Sequence, residues 1–422
     1  MENPQVDDPA TLELEIEDVA AGGWCVARHD GRVVFVRHAL PGERVRARVT
    51  EETKRFLRAD AVEVLRASAD RVPAPCPFSG PGKCGGCDWQ HVTPEAQRRL
   101  KAKVVSDQLA RIAGVQRTVE VEELPGAKDG LGWRTRVRFT VDRSGHAGLR
   151  RHRSHDVEPV DACLIAHPEL ERLQVERAGW NSAIAVEAIV SDGTGDRAVV
   201  VTPRDRRPPR PLRLQAPASL MRGLSGGGAE PVRGRPGVRE VAAGRTWRVS
   251  GNGFWQVHPG AADTLTEVML EALRPLPGQT GLDLYCGVGL FAGTLADKVG
   301  PEGRVIGIET AAGAVRDARH NLADLPQVRI RQGDVEEKLR QATPSADVIV
   351  LDPPRSGAGR EVVDLMAATG ARRISYISCD PATFARDLTY LAEHGYELAG
   401  LRAFDAFPMT HHVELAGTFV RD

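Results

Sequence analysis

The chain has 422 residues and a formal net charge of −1, with 41 % hydrophobic and 27 % charged residues. This length is too great for one ordinary hydrophobic core, so we expect two or three domains. A net charge this close to zero gives no overall signature of nucleic-acid binding, and no apolar run reaches transmembrane length, which argues against a membrane protein.

The first predicted domain, residues 1–68, is a small β-barrel. Apolar and polar residues alternate in short runs bounded by Gly and Pro, which predicts strands at 12–16, 32–36, 45–49 and 61–65. Several short strands in so short a segment are typical of a closed barrel of the OB type. Within it, residues 22–28 (Gly-Gly-Trp-Cys-Val-Ala-Arg) resemble part of a TRAM domain, which is an RNA-binding barrel.

The second predicted domain, residues 69–250, begins with a cysteine cluster and continues with an amphipathic helix at 95–113 and mixed strands and loops. Seven cysteines without a secretory signal argue against a disulfide framework, so we expect a cytoplasmic protein with reduced thiols. Cys76, Cys84 and Cys87 lie too close together in sequence to be expected without a metal.

Two kinds of metal centre fit these cysteines. A [4Fe–4S] cluster would use the three clustered cysteines together with a distant fourth, for which Cys163 is the nearest candidate. A structural zinc site would usually show a second Cys-x2-Cys or a His pair, but His91 could complete one here. Zinc therefore remains an alternative to the iron–sulfur cluster.

Basic residues are concentrated in three stretches of the chain. These are residues 28–58, with nine Lys/Arg against four acids, residues 134–153, with seven Arg against Asp142 alone, and residues 204–239, with nine Arg against Asp205 and Glu230. Any one such stretch could be a solvated face. Three of them together favour a polyanionic partner.

The third predicted domain, residues 251–422, alternates strands with helices. Apolar strands are predicted at 281–285, 305–309, 328–332, 348–352 and 374–379, with helical stretches between them. This alternation is the pattern of a doubly wound α/β fold, in which ligands bind at the carboxyl ends of the parallel strands. We therefore expect a Rossmann-like domain that follows the barrel and the mixed α+β central region.

A nucleotide-cofactor site is predicted at the end of the first of these strands. The turn Cys286-Gly287-Val288-Gly289 follows the strand directly, and its glycines let the backbone approach a ligand closely. Glu309 ends the next strand, where an acid would accept hydrogen bonds from ribose hydroxyls. NAD and S-adenosylmethionine (SAM) both suit such a site. The lack of a third glycine and the Asp-Pro-Pro-Arg motif at 352–355 favour SAM.

Cys379 is the candidate nucleophile. Most free cysteines are small buried hydrophobes, but Cys379 lies in the polar turn Ser378-Cys379-Asp380, before a helix whose positive end would stabilise a thiolate. A thiolate that adds to C6 of uracil makes an enolate whose C5 can attack the methyl group of SAM. A base must then remove the C5 proton. Glu414 is the best candidate, with His412 as an alternative base or a structural partner.

Taken together, these motifs resemble the RNA uracil-5-methyltransferases, which make 5-methyluridine with SAM. The resemblance covers nearly the whole chain, and its most specific part is residues 378–387. It implies that Cys379 is the nucleophile and Glu414 the base. The residues that it implies for SAM binding are Gln256, Tyr285, Glu309, Asp334 and Asp352. Two positions depart from the family pattern, Leu290 and His258, where asparagine is found in some members or is common.

The same resemblance implies a cofactor and a substrate. Cys-Gly-Gly-Cys followed by Gln90-His91 is similar to the family's motif for a [4Fe–4S] cluster, here on Cys76, Cys84, Cys87 and Cys163, with a first gap two residues longer than usual. Members with both barrel and cluster mostly modify 23S ribosomal RNA, and some modify transfer RNA. We expect a monomer that acts on RNA, 23S rRNA before tRNA. The alternatives are a catalytically inactive iron–sulfur RNA-binding protein and a SAM enzyme for a small aromatic substrate.

Overall fold

The computed structural model describes residues 11–127, 129–205, 214–224, 228–251, 253–342 and 344–422. Within these ranges the strands form three large sheets and a two-stranded hairpin. No helix in the described part of the chain combines the length and the apolar character needed to cross a bilayer.

The N-terminal sheet has six strands. They are β1 (Thr11–Glu15), β2 (Asp18–Ala20), β3 (Trp24–His29), β4 (Arg32–Arg37), β5 (Arg44–Glu52) and β6 (Phe56–Arg66). Their order is β1-β5-β6-β4-β3-β2, and only Ile16 and Glu17 separate the two end strands, so the sheet closes on itself. Each predicted strand overlaps an observed one, which confirms the predicted strands.

A helix leads from the barrel to the C-terminal half of the molecule. This helix, α1 (Pro94–Gln108), starts with Pro at its first turn and continues as one π-helical turn, Leu109–Ala113. Gly114, with φ of 66°, ends it, because glycine adopts this left-handed conformation without strain. The predicted helix at 95–113 is confirmed. It is followed by the short strand β7 (Val121–Glu123).

The central sheet has seven strands in the order β10-β9-β8-β11-β12-β13-β14. They are β8 (Arg136–Val141), β9 (Ala147–Arg150), β10 (Val157–Pro159), β11 (Ala183–Val190), β12 (Arg197–Pro203), β13 (Ser219–Gly223) and β14 (Ala229–Arg233). The short helix α2 (Pro168–Glu171) lies between β10 and β11. Val137 and Phe139 point into its core while Arg138 between them is exposed, because side chains alternate along a strand.

A hairpin connects the central sheet with the C-terminal domain. It consists of β15 (Gly237–Ala242) and β16 (Arg245–Ser250). Trp247 on β16 is fully buried in the apolar cluster that covers one face of the C-terminal sheet, and its Nε1 donates to Ala242 O at 2.9 Å. Burial of a large apolar side chain contributes roughly 1.5–3 kcal/mol, so the hairpin is fastened to the domain that follows it.

The C-terminal domain is a doubly wound α/β unit, as predicted. Its strands are β17 (Thr280–Leu284), β18 (Arg304–Glu309), β19 (Val328–Gln332), β20 (Val348–Leu351), β21 (Arg373–Ser378), β22 (Glu397–Asp405) and β23 (Glu414–Val420). Its helices are α3 (Ala261–Leu273), α4 (Leu290–Val299), α5 (Ala312–Asn321), α6 (Val335–Gln341), α7 (Arg360–Ala368) and α8 (Pro381–Glu393). Strands β17 to β21 are parallel to one another, and β23 is antiparallel to both of its neighbours.

The C-terminal sheet is completed by residues that precede it by more than a hundred positions in the chain. Its strand order is β19-β18-β17-β20-β21-β23-β22-β7, so β7 covers the edge of β22. Helix α1 packs on α8, and the Lys101 ammonium is fully buried 2.5 Å from Asp405 Oδ1. Residues 94–123 therefore pack as part of this domain. The bounds 1–68, 69–250 and 251–422 remain predictions.

Candidate active site

Cys379 and Glu414 lie together at the end of one antiparallel ladder. Strands β21 and β23 pair in a register that ends with Ser378 opposite Leu415. Cys379 directly follows β21 and Glu414 is the first residue of β23, and the Glu414 carboxyl is close enough to affect the pKa of Cys379. Although 34 positions of sequence separate the predicted nucleophile from the predicted base, the sheet brings them together.

The electrostatic environment of this pair favours its uncharged state. Burial, and then the nearby Glu414 carboxyl, raise the pKa of the Cys379 thiol to about 11, while the Arg355 guanidinium opposes this. Glu414 is 3 % exposed, and its burial raises its pKa well above the usual range, with Asp352 acting in the same direction. Arg355 lowers the pKa of Glu414 too. One cation therefore acts on both groups.

Arg355 is held by the loop that precedes Glu414. Its Nη2 lies 3.2 Å from His412 Nε2. Arginine is only a donor, so His412 accepts this hydrogen bond in its neutral form. Burial, followed by His411 and Arg355, lowers the pKa of His412 to about 3, which is consistent with a neutral ring. This geometry favours the structural role for His412 over the role of general base.

The helix that follows Cys379 begins as its sequence predicts. Asp380 is the N-cap of α8, and its Oδ1 accepts a hydrogen bond from Thr383 N at 2.9 Å. Pro381 occupies the first turn, where no backbone N–H is needed. The positive end of α8 is therefore next to Cys379, where it favours a thiolate.

The cofactor turn has the conformation that a close ligand requires. Tyr285, Gly287 and Gly289 adopt φ values of 65°, 54° and 95°. A Cβ added at Gly287 would meet no atom within 4 Å, so open space lies above the turn. A Cβ at Gly289 would lie 2.7 Å from Leu322 Cδ1, so that glycine is needed for close packing of the protein itself. The turn thus offers a cradle that fits a nucleoside.

Four of the predicted SAM-binding residues lie at one edge of the sheet. Tyr285, Glu309, Asp334 and Asp352 each end or follow one of four neighbouring parallel strands, so their side chains meet at the carboxyl edge. Tyr285 is near Asp334, which adds to the effect of burial in raising the tyrosine pKa to about 12. Gln256, the fifth residue, is 8 % exposed and lies just before α3.

Two of these carboxylates also have structural roles. Glu309 accepts a hydrogen bond from Gly287 N at 3.0 Å and another from Ala311 N at 2.7 Å, so it fixes the cofactor turn. Asp334 is the N-cap of α6 and accepts from Glu337 N at 3.1 Å. A carboxylate has about four lone-pair sites, so both residues keep acceptor capacity for ribose or amine groups.

Leu290 and His258, the two residues that depart from the family pattern, are both buried. Leu290 is the first residue of α4, is 7 % exposed and belongs to the apolar core. His258 is 1 % exposed and stacks on Trp133 with ring centroids 5.9 Å apart. Burial lowers its pKa to about 4, so it is neutral at pH 7.

Three residues near the site were missing from the sequence-based list. Arg355 was noted only as the end of the Asp-Pro-Pro-Arg motif. Asp387 is fully buried and accepts from Tyr376 Oη at 2.6 Å and from Ala358 N at 2.7 Å, so it positions the loop that follows Arg355. Phe254, two residues before Gln256, is 64 % exposed. Arg355 and Asp387 lie within the motifs at 352–355 and 378–387, which were the signals that could have found these two residues.

The four predicted metal ligands line a common cavity. Cys76, Cys84, Cys87 and Cys163 all border a cavity of about 350 Å³ between the cysteine loop and the central sheet. Burial raises the pKa of the Cys163 thiol to about 12, and it also raises the pKa of the Cys87 thiol. Neighbouring cysteines raise the pKa of both thiols as well. Deprotonated thiols this close together would need a cationic centre between them.

The cavity does not hold its described side chains in the arrangement of a metal site. Among the described residues no group of three or more His, Cys, Asp or Glu side chains is arranged to hold one metal ion. Zinc would bring its sulfurs to about 2.3 Å from the metal. His91 does not line the cavity; its ring lies 6.1 Å from that of His38. The arrangement of the described residues therefore supports neither the zinc site nor the [4Fe–4S] cluster, and both remain predictions.

Three family profiles match the chain. A family profile described as tRNA (Uracil-5-)-methyltransferase matches residues 331–421. Profiles for the TRAM domain and for a methyltransferase domain match residues 10–62 and 282–355. The barrel and the α/β domain thus each match the family type that their sequence patterns suggest.

Similar proteins match the chain along nearly its whole length. An uncharacterised RNA methyltransferase of Streptomyces coelicolor is 54 % identical, over 97 % of this chain and 93 % of that protein. The 23S rRNA (uracil(1939)-C(5))-methyltransferase of Alkalilimnicola ehrlichii is 34 % identical, over 97 % of each chain. The solved structure of a Pyrococcus abyssi tRNA (uracil-54, C5)-methyltransferase with S-adenosyl-L-homocysteine has a TM-score of 0.74 at 24 % identity, covering 96 % of this chain and 99 % of that one. That structure shows a shared fold.

Proposed function

The chain belongs to the family of RNA uracil-5-methyltransferases, and on this premise we propose that it methylates C5 of a uridine in 23S ribosomal RNA through a covalent adduct on Cys379. The observation that carries the proposal is the position of Cys379 and Glu414 together at the end of the β21–β23 ladder. A nucleophile and a base on adjacent strand ends can act on adjacent ring atoms, C6 and C5, of one uracil. Neither alternative, a catalytically inactive iron–sulfur RNA-binding protein or a SAM enzyme for a small aromatic substrate, gives a reason for these two residues to lie together.

The reaction needs an activated thiol. The pKa of Cys379 is high before substrate binds, so the thiolate is a minor species at pH 7. Arg355 and the N-terminus of α8 both stabilise the thiolate. Cys379 Sγ then bonds to C6 of the uracil, and the electron pair of the C5–C6 double bond moves to the ring as an enolate.

Glu414 completes the reaction as the base. When bound, SAM supplies an electrophilic methyl group, which C5 of the enolate takes while S-adenosylhomocysteine leaves. Glu414 then accepts the C5 proton, the C5–C6 double bond forms again, and the C6–Sγ bond breaks to return the Cys379 thiolate. The burial that raises the pKa of Glu414 makes it a stronger base than an exposed carboxylate.

Binding of SAM is supported by the cradle and by the fold. The space above Gly287 would accept the nucleoside, and Glu309 lies beside it with acceptor capacity for the ribose hydroxyls. Tyr285, Asp334, Asp352 and Gln256 would surround the remainder of the cofactor. These assignments are proposals that rest on the sheet edge described above.

A [4Fe–4S] cluster on Cys76, Cys84, Cys87 and Cys163 is the second cofactor that we propose. The proposal rests on the cysteine motif and on the cavity that the four cysteines share. Such a cluster would tie the cysteine loop to the central sheet through Cys163. Its role would be to hold these two segments in place, since uracil methylation by the route above transfers no electrons.

The preference for 23S rRNA rests on the relative from Alkalilimnicola ehrlichii, which is named for that substrate and matches along the whole chain. The alternative is transfer RNA. It is supported by the name of the profile that matches residues 331–421. The barrel and the exposed Phe254 beside Gln256 suit either RNA, because an exposed aromatic ring can stack on an unpaired base.

The test uses RNA labelled with tritium at uracil C5, supplied separately as 23S rRNA and as tRNA. Substitution at C5 releases tritium to water, and we expect SAM-dependent release from 23S rRNA by protein purified without oxygen. Release from tRNA alone would keep the chemistry and replace the substrate. If neither RNA releases tritium although the protein is folded and retains its iron, the proposed enzyme activity is wrong. The protein would then be an RNA-binding protein without catalytic activity.

A further inference from the structure

Among the residues that the structure describes, an open cavity on the central sheet is lined by five arginines and by no acidic residue. We call it the arginine trough, and it is defined by Arg138, Arg150, Arg151, Arg153 and Arg204. Its volume is about 730 Å³, and the other residues that line it include His152 and the exposed Ile184. So many guanidinium groups around one open space create a strongly positive surface.

Three of these arginines keep their charge available. Arg150 Nε donates to Thr140 Oγ1 at 3.3 Å, and Arg204 Nη2 donates to Asp142 O at 3.1 Å and to Ala183 O at 3.2 Å. Arg138 Nη2 lies 3.5 Å from Thr202 Oγ1. All of these acceptors are uncharged. In the described part of the chain, none of the three arginines has a carboxylate within 4.0 Å.

The remaining arginines of the trough are fixed by single contacts with carboxylates. Arg151 Nε lies 2.9 Å from Glu158 Oε2, and Arg153 Nη1 lies 3.7 Å from Glu51 Oε2. Glu187 stands opposite Arg138 in the β8–β11 ladder but does not line the trough. The net charge of the trough therefore stays positive.

The other two basic stretches of the sequence are largely neutralised where the structure describes them. On the barrel, Arg32, Arg44 and Arg46 form ion pairs with Glu52, Glu13 and Glu63. In the stretch 204–239, Arg235 and Arg239 share Asp196. Residues 206–213 of that stretch lie outside the described residues. The second stretch, 134–153, thus supplies most of the trough.

The trough adjoins the cavity of the cysteines. Gly85, Gly86, Arg138 and His152 line both the trough and the cavity of the cysteines. At its other side that cavity is bordered by His411 and His412, and His412 contacts Arg355. A strand of nucleic acid in the trough would therefore lie beside the cysteine cavity, which the loop that holds Arg355 also borders.

The cysteine loop forms one rim of the trough. Gly85 N donates to Arg150 O at 2.9 Å, and Cys84 pairs with Arg151 as an isolated bridge. A Cβ at Gly85 would lie 2.7 Å from His152 Cα, so only glycine permits this approach without a shift. Trp24 of the barrel contacts Arg153 of the trough, whose guanidinium lies 5.6 Å from the Trp24 ring centroid.

We propose that the arginine trough binds the phosphodiester backbone of the substrate RNA at nucleotides that flank the target uridine. This inference rests on the proposed function and adds the surface that would hold the RNA while one base is extruded. Guanidinium groups suit phosphates because they donate in a planar fork. The exposed Ile184 provides an apolar contact for a sugar or an unpaired base.

The test compares two triple variants that remove the same charge. The trough variant is Arg138→Gln/Arg150→Gln/Arg204→Gln, and the control is Arg340→Gln/Arg360→Gln/Arg402→Gln, three arginines of the C-terminal domain that are paired with glutamates. The dissociation constant for a single-stranded fragment of 23S rRNA is measured between 50 and 300 mM salt. Each lost phosphate contact lowers the slope of log K against log salt by about 0.7, so the trough variant should lose about 2 and bind about tenfold or more weakly.

Steady-state kinetics give the second measurement. The trough variant should raise KM for RNA far more than it lowers kcat, with an unchanged dissociation constant for SAM. The control should keep the wild-type slope. Equal slopes for the two triple variants, both shown by thermal unfolding to be folded, would overturn the trough as the RNA site.

The two proposals fail in different ways. If the wild-type protein methylates no RNA but only the trough variant loses salt-dependent RNA binding, the proposed function falls and the trough stands. If duplex DNA of the same sequence binds as tightly as RNA and loses the same slope, the assignment to RNA is wrong. Methylation that is intact in both triple variants would keep the proposed function and reject the trough.

Discussion

At the scale of single residues, the site is governed by one cation beside several acids. Arg355 lowers the pKa of Cys379 and of Glu414, and it acts against burial in both cases. His412 holds its guanidinium at 3.2 Å. Replacement of Arg355 therefore would change the protonation of the nucleophile and the base together, which replacement of either partner alone would not do.

A covalent adduct should accumulate when the base is removed. In Glu414→Gln, Cys379 can still add to C6 and the methyl group can still be transferred, but the C5 proton stays in place. We expect turnover to fall by roughly 10²–10⁴-fold, the usual contribution of a general base. A protein–RNA band that survives denaturing electrophoresis should appear. The matched control is the double variant Cys379→Ala/Glu414→Gln, in which any such band would contradict the assigned nucleophile.

The buried carboxyl of Glu414 should also make stability depend on pH. Its pKa is raised in the folded state, so folding favours the protonated form. The contribution is complete below the unfolded pKa and is lost as the pH rises towards the folded pKa. Between pH 5 and pH 8, Glu414→Gln should therefore gain about 2 °C or more in Tm relative to wild type, measured by calorimetry.

Glu393 on the surface serves as the control, because its pKa is lowered in the folded state whereas that of Glu414 is raised. An ion pair with Arg360 lowers the pKa of Glu393, so Glu393→Gln should gain nothing on wild type as the pH rises. If Glu414→Gln and Glu393→Gln showed the same trend with pH, the effect could not come from the burial of Glu414.

At the scale of elements, residues 406–413 between β22 and β23 are held by the segment that follows the cysteines. Asp88 N and Trp89 N both donate to Met409 O at 3.0 Å, and Met409 N donates to Gln97 Oε1 at 2.8 Å. Asp88 Oδ2 lies 2.6 Å from His411 Nδ1. Met409 has φ of 66°, a strained value for a side chain of its size, so these contacts keep the loop in place.

Asp88→Asn should weaken catalysis through this loop. The variant removes the charge that faces His411 and Arg37 while it keeps the size of the side chain. Charge-assisted hydrogen bonds are worth about 1.5–3 kcal/mol, so a roughly tenfold fall in kcat is expected as His412 and Arg355 shift. The dissociation constant for SAM should not change, because the cofactor cradle lies on other strands.

The control for this prediction is Asp70→Asn. Asp70 also pairs with an arginine, Arg99, but the pair is on the surface and away from residues 406–413. It should keep the wild-type kcat. Equal effects of the two substitutions on kcat would contradict the role of Asp88 in positioning the loop.

The elements show what sequence alone could predict. The strands and α1 were predictable because alternation and helical spacing are local, and so were the cap at Asp380 and the glycine turn at 287–289. The pairing of Cys379 with Glu414 depends on the register of two strands, which no local pattern encodes. The same holds for the basic residues. Only the folded chain shows that barrel arginines such as Arg44 and Arg46 are paired with glutamates, whereas three of the five arginines of the trough have no carboxylate within 4.0 Å among the described residues.

At the scale of the whole molecule, the C-terminal domain depends on residues before it. Strand β7 covers β22, α1 covers α8, and Trp247 of the hairpin enters the core of the domain. An uncovered edge strand with unpaired backbone groups invites association with other chains. The predicted boundary at residue 251 would remove all three of these contacts.

Truncation should reveal this dependence. A fragment of residues 251–422 should aggregate or lack a cooperative thermal transition, whereas residues 94–422 should unfold cooperatively and bind SAM. The 251–422 fragment lacks Lys101, so Asp405 would be buried without its partner. This would cost about 3–5 kcal/mol. Calorimetry and size-exclusion chromatography of both fragments check this. A stable, monomeric 251–422 fragment would contradict it.

The ladder between β21 and β23 also bears on how relatives of this protein could diverge. The spacing of Cys379 and Glu414 is set by backbone pairing from Arg373–Val420 to Ser378–Leu415, and residues 406–413 take no part in that pairing. Insertions or deletions in this loop would therefore leave the reacting pair in register, whereas a single inserted residue within either strand would turn one partner to the opposite face. Changes in the length of the loop would still displace His411 and His412 from Asp88 and Arg355, so over generations this loop as well as the two strands is constrained in length.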